Sequence, residues 1–463
     1  MVKHVALVLV LVGLSVSVVH SGEPAADEPL FWVGVCAHFG QNKGIPERNL
    51  EMMKAAGINS LRDELSWGGT ERKRGEYAIA PDKNATFRRA AELGIRPMLI
   101  FDYANRLYDK GDRPRSPEAL EGYTRYAEFL VRHFGTDVPL YEVWNEYDIP
   151  IGMPQEFRKG GSPEDYVKML KHVYPRVKKL APKVTVVGGA PTPGGVGRGW
   201  LEQIVKLGAL DYCDVLSIHT YNYSNKPQAR TPEAWHAWMQ QVQAMLRKYN
   251  KGRDVPLFVT EMGWPTHVGK PNGTSPERSA SYLGRLYLLA RTLPSLRGIW
   301  WYDYQDDGWN AEYNEDNFGI VRPDLSAKPS YYVMADVADL CKRGECLGRV
   351  KTADTALWIL RFRLDGEELW AVWSGDDRPH QILLETVALD DALVLDKLGH
   401  PSIRRGWGYR PWASKGHGSE LVPNRMSLIV DDRPHLLRGR MDAVRLVGAT
   451  DKIGAVAEKT AGK

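Results

Sequence analysis

The chain is short of cysteine, has no block of like charges, no phosphate-binding glycine signature and no second long apolar run. Each shortage removes a class of function. Four cysteines in 463 residues are too few for a disulfide-built scaffold. Cys341 and Cys346 in "CKRGEC" are close enough in sequence to close a small turn, and a bridge or two free thiols are both open there. Cys36 and Cys213 sit in or beside apolar strand-like runs, where a buried thiol behaves as a small hydrophobe. Neither has His or Cys neighbours at zinc-ligand spacing, so no metal site and no cofactor are expected. Basic and acidic residues number 61 and 57, for a net charge of +4, with no run of five or more of one sign. That balance gives no electrostatic footprint for nucleic acid or an anionic membrane. The one apolar run, "VALVLVLVGLSVSVV", follows a basic "MVKH" and precedes small and polar residues. This is the pattern of a secretory signal peptide over residues 1–22, with cleavage around Ser21 to Ala26 and a secreted or periplasmic product. An uncleaved anchor is the alternative, although the run is short for a span.

What is present is an ordinary globular composition, 43% hydrophobic and 25% charged, with 15 Trp and 21 Tyr. Eight apolar runs alternate with amphipathic segments: "LFWVGVCAHF", "INSLRDELSW", "IRPMLIFDY", "PLYEVWNE", "VTVVGGAP", "DVLSIHTYN", "PLFVTEMGW" and "LRGIWWYDY". Consecutive apolar residues suit parallel strands covered on both faces. The intervening segments open with "SPEALEGY", "SPEDYVKM", "TPEAWHAW" and "SPERSASY", each a hydroxyl N-cap followed by Pro and then Glu. Gly57 and Gly94 supply stop signals. The repetition predicts an α/β fold, a (β/α)8 TIM barrel over residues 28–340. An open doubly wound sheet lacks its G-x-G-x-x-G fingerprint, and "GGAPTPGGVGRG" has no phosphate-loop Lys-Ser/Thr. From residue 344 to 447 apolar and polar residues alternate between turns, which predicts a small C-terminal antiparallel β-sandwich domain. The insert "RRGWGYRPWASKGHG" reads as a loop, and residues 448–463 as a tail without a partner signal.

In such a barrel the site lies at the C-terminal strand ends. There Asn145 and Glu146 end the fourth run, and Glu261 ends the seventh. A desolvated carboxylate costs several kcal/mol unless paired or protonated. A single strand-end Glu reads as a structural ion pair. Two of them, each flanked by Trp and by amide or hydroxyl groups, read as the pair that glycoside hydrolysis needs, one carboxyl to protonate the leaving oxygen and one to attack or to activate water.

"WNE" on the fourth strand and "TEMGW" on the seventh resemble the clan A retaining glycoside hydrolases. The similarity runs the length of the barrel through "GINSLRDELSW", "SIHTYN", "GIWWYDY" and "FGIVRPDLSAKPSYYVM", and a barrel followed by a small β-domain looks most like family 39 and its exopolysaccharide-cleaving relatives. The resemblance implies Glu146 as acid/base, Glu261 as nucleophile, Asn145 on the sugar 2-hydroxyl, and Arg62 and Tyr221 holding Glu261 ionised. It implies a β-linked oligo- or polysaccharide partner and a covalent glycosyl intermediate. His38 and His219 are candidates for sugar hydroxyls, or buried structural histidines. Trp301 is expected as the floor beneath the sugar ring with Trp300 facing outward. Trp144, Trp264, Tyr103 and Trp67 are candidates for subsites, while Asp63 and Glu64 read as charges of a loop leaving the second strand. Tyr147 stands where the clan often has Pro after the acid. Two competing readings are a non-hydrolytic carbohydrate-binding barrel, which would need only one glutamate, and a phosphate-substrate lyase, which would need an anion site where this chain has the acidic "YQDDGWNAEYNEDN". Oligomeric state, the sugar and its linkage have no sequence signal.

Overall fold

The computed structural model describes residues 29–268, 272–386, 394–399, 424–439, 441 and 444–450. The expected signal peptide, the Trp-rich insert and residues 451–463 lie outside these residues, while residues 448–450, expected as part of the tail, end the strand Val444–Thr450.

The helices form where the caps direct. The side-chain oxygens of Ser116, Ser162, Thr231 and Ser275 accept from the backbone N–H three residues on, at 3.1, 3.1, 3.2 and 3.2 Å, each ahead of a Pro at the first helical turn. Gly57 and Gly94, at φ of 72° and 80°, turn the chain from a helix into the next strand. Strands β1 (Trp32–Cys36), β2 (Ser60–Glu64), β3 (Arg96–Phe101), β4 (Leu140–Val143), β5 (Thr185–Gly189), β6 (Val215–His219), β7 (Leu257–Met262) and β8 (Leu296–Trp301) alternate with the helices. They pair in parallel with their sequence neighbours, and β1 pairs with β8 to close the barrel. Helices α1 (Pro46–Ala55), α2 (Pro81–Glu92), α3 (Pro117–Phe134), α4 (Pro163–Leu180), α5 (Trp200–Lys206), α6 (Pro232–Arg247), α7 (Pro276–Ala290) and α8 (Pro329–Arg343) form the outer layer. No helix among the described residues is long and apolar enough to cross a membrane.

Side chains on one face of each strand fill the barrel: Trp32, Cys36, Met98, Leu140, Val187, Val215, Phe258 and Trp300 form one buried cluster. Trp300 reaches across it, and its indole N–H donates to Ser60 Oγ at 3.0 Å. The ring needs Gly34 opposite it, because a Cβ there would stand 2.3 Å from Trp300 Cδ1. The expected orientation of the tryptophan pair is therefore reversed. Trp300 points inward, and Trp301 packs outward against Trp264 in the layer between wall and helices.

The chain leaves the barrel at Arg343 and enters an antiparallel sandwich at Glu345. A five-stranded sheet, its central hairpin made by Leu357–Leu364 and Glu367–Ser374, faces a three-stranded sheet. Leu357, Ile359, Trp370 and Val372 from the first meet Ile382, Leu384 and Val430 from the second. On the barrel side Arg285, fully buried on α7, bonds Glu233 of α6 and Asp377 of the sandwich, and Trp373 Nε1 donates to Glu233 at 2.8 Å. All four cysteines are free, so the turn at Cys341 and Cys346 is unbridged.

Candidate active site

Two local departures from strand regularity aim the polar groups. On β4, Leu140 and Glu142 face into the barrel, whereas Tyr141 and Val143 face the helices. Trp144 should face inward next, but its φ of 68° turns the ring out against Tyr103, Tyr123 and Tyr147. Asn145 and Glu146, the latter at φ 48°, then both reach the mouth. Non-glycine residues at positive φ are uncommon and recur at functional sites. On β7, Phe258 faces in and Val259 out. The pairing slips against both neighbours at this point, between the contacts of Val259 and those of Glu261 or Met262. Strict alternation from Phe258 would have pointed Glu261 at the helices; a β-bulge re-aims it into the mouth.

The mouth is a cavity of about 430 Å³, within the range of small-ligand sites. Arg62 of β2 organises it with three hydrogen bonds: Nε to Glu142 Oε2 at 2.7 Å, NH1 to Glu261 Oε1 at 2.8 Å and NH2 to Asn145 Oδ1 at 2.8 Å. Tyr221 donates to the other Glu261 oxygen at 2.7 Å. Asn145 Nδ2 in turn donates to Tyr103 at 2.8 Å. His219 Nδ1 lies 2.8 Å from Glu146 Oε1 and 3.4 Å from Glu261 Oε2, between the two carboxyls. One oxygen from each glutamate and this nitrogen all fall within 4.8 Å of one another.

The two carboxyls have opposite electrostatics. Burial pushes Glu146 above its ordinary value, and the nearby Glu261 charge adds to this against the pull of His219. Burial acts on Glu261 in the same sense, but His219, the Arg62 guanidinium and the Tyr221 hydroxyl outweigh it and hold that carboxyl below its ordinary range. One acid is biased to carry a proton and its neighbour to be an anion.

The structure thus brings together Glu146, Glu261, Asn145, Arg62, His219, Tyr221 and Tyr103, with His38 at the rim, where its Nδ1 is 2.9 Å from Asp307 Oδ1. It does not bring Trp301, which is fully buried outside the wall; Tyr302, one residue on, lines the mouth instead. Trp264 and Trp67 are also buried away from it, with ring N–H groups on Arg230 O and Glu71. Asp63 is no surface charge: it is buried and accepts from the N–H groups of Phe39, Gly40 and Glu64 at 2.8, 3.1 and 2.7 Å, while Glu64 lines the mouth. Tyr147 packs. Its ring lies against Trp144, Tyr166 and Trp200 beneath the Arg113 guanidinium, and Gly161 leaves it room. Sequence reasoning passed over Glu142, which shows in "PLYEVWNE" only as an acid two residues after inward-facing Leu140, and Tyr302, whose place in "WWYDY" gives the Trp pair the role expected of it.

No family model and no curated protein matches the sequence. Solved structures do. A family 39 glycoside hydrolase from the gut symbiont Bacteroides cellulosilyticus WH2 superposes with a TM-score of 0.70 at 26% identity, over 89% of this chain and 81% of that one. A family 30 endoxylanase from Clostridium papyrosolvens C71 gives 0.57 at 11% identity over 89% and 97%, and a glucosidase from Croceicoccus marinus 0.55 at 15% over 90% and 97%. These last two share the fold. In architecture and domain order the chain is similar to the clan A glycoside hydrolases, with family 39 among its structural neighbours.

Proposed function

We propose that this chain is a retaining glycoside hydrolase that cleaves β-linked oligo- or polysaccharide by double displacement. The observation that carries the reading is the spacing and polarity of Glu146 and Glu261. Oxygens of the two carboxyls lie within 4.8 Å. Retaining enzymes hold their carboxyl groups roughly 5–5.5 Å apart, whereas inverting ones leave about 6.5–9.5 Å for a water.

In the first step the protonated Glu146 donates to the glycosidic oxygen as Glu261 attacks the anomeric carbon; the C–O bond to the leaving sugar breaks and a glycosyl ester to Glu261 forms. Glu146, now ionised, takes a proton from a water that attacks the same carbon from the opposite face. The ester breaks and both carboxyls return to their starting states. Two inversions restore the β configuration. Arg62 and Tyr221 hold each Glu261 oxygen in a fixed direction, which places the anion before substrate arrives. Asn145 has its carbonyl on Arg62 and one amide hydrogen on Tyr103. Its second amide hydrogen is left for the sugar 2-hydroxyl, whose hydrogen bond strengthens in the oxocarbenium-like transition state. Export of the enzyme follows from the signal pattern of residues 1–22, and N-terminal sequencing of the mature chain tests it.

The deciding experiment follows the first product of an aryl β-glycoside or β-glucan by NMR and treats the enzyme with a 2-fluoro-substituted glycoside. A β-configured product and a mass increase on the peptide holding Glu261 are expected. An α-configured first product refutes the mechanism, and sugar binding without turnover would favour a carbohydrate-binding protein instead.

A further inference from the structure

Beside the mouth, between the ends of β1 and β8, lies a second cavity of about 270 Å³ whose floor includes His38, Asp303 and Asp307. His38 lines both cavities. Asp303 is the anomaly here. Its side chain is 1% exposed and both carboxylate oxygens are buried with no hydrogen-bond partner. A carboxyl stripped of water and left unpaired costs several kcal/mol. Almost all buried polar side-chain atoms find a partner, so an orphan pair of oxygens in a cavity wall calls for one.

Nothing on the protein side supplies it. The nearest cationic candidate, His38 Nδ1, stands 3.9 Å from Asp303 Oδ2, beyond hydrogen-bond range, and is engaged at 2.9 Å with Asp307 Oδ1. These three atoms, one nitrogen and two oxygens, lie within 4.8 Å of one another. Ligand atoms bound at about 2.0–2.2 Å around one ion stand roughly 3–4 Å apart, and the His38 nitrogen stands 2.9 and 3.9 Å from the two carboxylates. The second oxygen of Asp307 is 2.5 Å from Lys43 Nζ, a cation that competes with a metal ion for this carboxylate. The glutamate pair of the mouth offers a similar trio with His219, but there both Glu261 oxygens already accept hydrogen bonds from Arg62 and Tyr221. Asp303 is the carboxylate still unserved.

We propose that His38 Nδ1, Asp303 and Asp307 bind one divalent transition-metal cation, of the Mn2+ or Zn2+ kind, at the floor of this side cavity. One imidazole and two carboxylates form a mixed nitrogen and oxygen set, which suits these ions better than Ca2+ or Mg2+, whose sites are built of oxygen alone. Three protein ligands leave open positions, and the cavity has room for the waters that fill them. The ion ties the end of β1 to the segment after β8. It also fixes the ring of His38, which borders the sugar site. No local sequence spacing announces the set, since His38 and Asp307 are 269 positions apart.

The test is independent of whether the chain hydrolyses sugar. Tag-free full-length protein is analysed for metal as purified, stripped with chelator, dialysed, and titrated calorimetrically with MnCl2, ZnCl2 or CaCl2, with melting followed in parallel. One equivalent of Mn2+ or Zn2+ should bind and raise Tm. Asp303→Asn should weaken that binding by about 10–100-fold, the scale on which even a supporting residue of a metal site acts. Lys43→Met removes a competing cation while leaving all three ligands, and should tighten binding several-fold. It also keeps the test decisive if Asp303→Asn fails to fold. No binding by the wild type, binding of Ca2+ alone, equal binding by a folded Asp303→Asn, or an unchanged affinity in Lys43→Met would each overturn the proposal.

Discussion

The barrel mouth and the β-sandwich treat polar groups in opposite ways. Around the mouth, Asp102 and Asp303 have both carboxylate oxygens buried without partners, as are one oxygen of Glu142 and Nε2 of His219, and Trp144 and Glu146 are held at positive φ. In the sandwich, among the described residues, the one such side-chain atom is Nδ1 of His435, and the non-glycine residues at positive φ are Asp365, in a two-residue Asp365–Gly366 hairpin turn where that conformation is ordinary, and Asp377, in the connection before the strand at His380. The sandwich departs from local rules at few places. The mouth breaks several at once, and conflicts of this kind concentrate where function demands them.

The largest expected effect tests that contrast at its centre. Glu261→Gln should lower kcat by about 10⁴-fold or more, the scale of losing a nucleophile, while the chain stays folded with a lower urea midpoint, because buried Arg62 and His219 lose the anion between them. Steady-state kinetics and denaturation on the same preparation check both halves. Next, Glu146→Gln should cost about 10²–10⁴-fold on substrates whose leaving group must be protonated, and far less on an activated aryl glycoside. Wild-type kcat/KM should be bell-shaped with pH. Activity falls on the acid side as Glu261 takes a proton, below the ordinary carboxyl range, and on the basic side as Glu146 loses one, above it. The basic limb should vanish in Glu146→Gln.

Arg62→Met leaves Glu142 and Glu261 buried beside one another without their shared cation. A loss of about 3–5 kcal/mol in unfolding free energy is expected, where removing an exposed pair such as Lys73 and Glu76 would give less than about 1 kcal/mol. The sandwich offers a gentler probe. Burial pushes His435 down to about 4 from 6.5. As pH falls between those values the unfolded chain takes up a proton that the folded one refuses, so stability drops, by at most about 1.4 kcal/mol per pH unit. His435→Leu should remove that slope; His236, also lowered to about 4 by burial, keeps its own. Smallest of all, a reductant should leave Tm unchanged because the cysteines are free. A clear decrease would mean that Cys341 and Cys346 are bridged after all.

Much of this plan is legible in the chain. Apolar runs such as "VTVVGG" announce buried parallel strands, Ser-Pro-Glu triplets announce helix starts, and the paired glutamates at strand ends stand out because their neighbours are apolar. What escapes is whatever depends on which side of a wall a residue faces. The reversal of Trp300 and Trp301 is one case, since period-two counting gives the alternation but not its phase, and the inward phase needs the room that Gly34 leaves on the adjacent strand β1. Glu142 is another: its partner Arg62 is 80 positions away. Tyr147 looked like a departure at the site and proved to be packing, because a ring of aromatic residues from α4 and α5 surrounds it.

The bulge on β7 has a consequence for how this site can be lost. Substitution of Glu261 is one route. Deleting a single neighbour such as Thr260 is not another: Val259 lies opposite Ile218 and Glu261 opposite His219, so loss of the residue between them restores regular pairing and leaves the carboxylate opposite His219, facing the mouth. An insertion of one codon there would instead turn the carboxylate toward the helices while leaving both glutamates in the gene, so a descendant scored by motif alone would still look active.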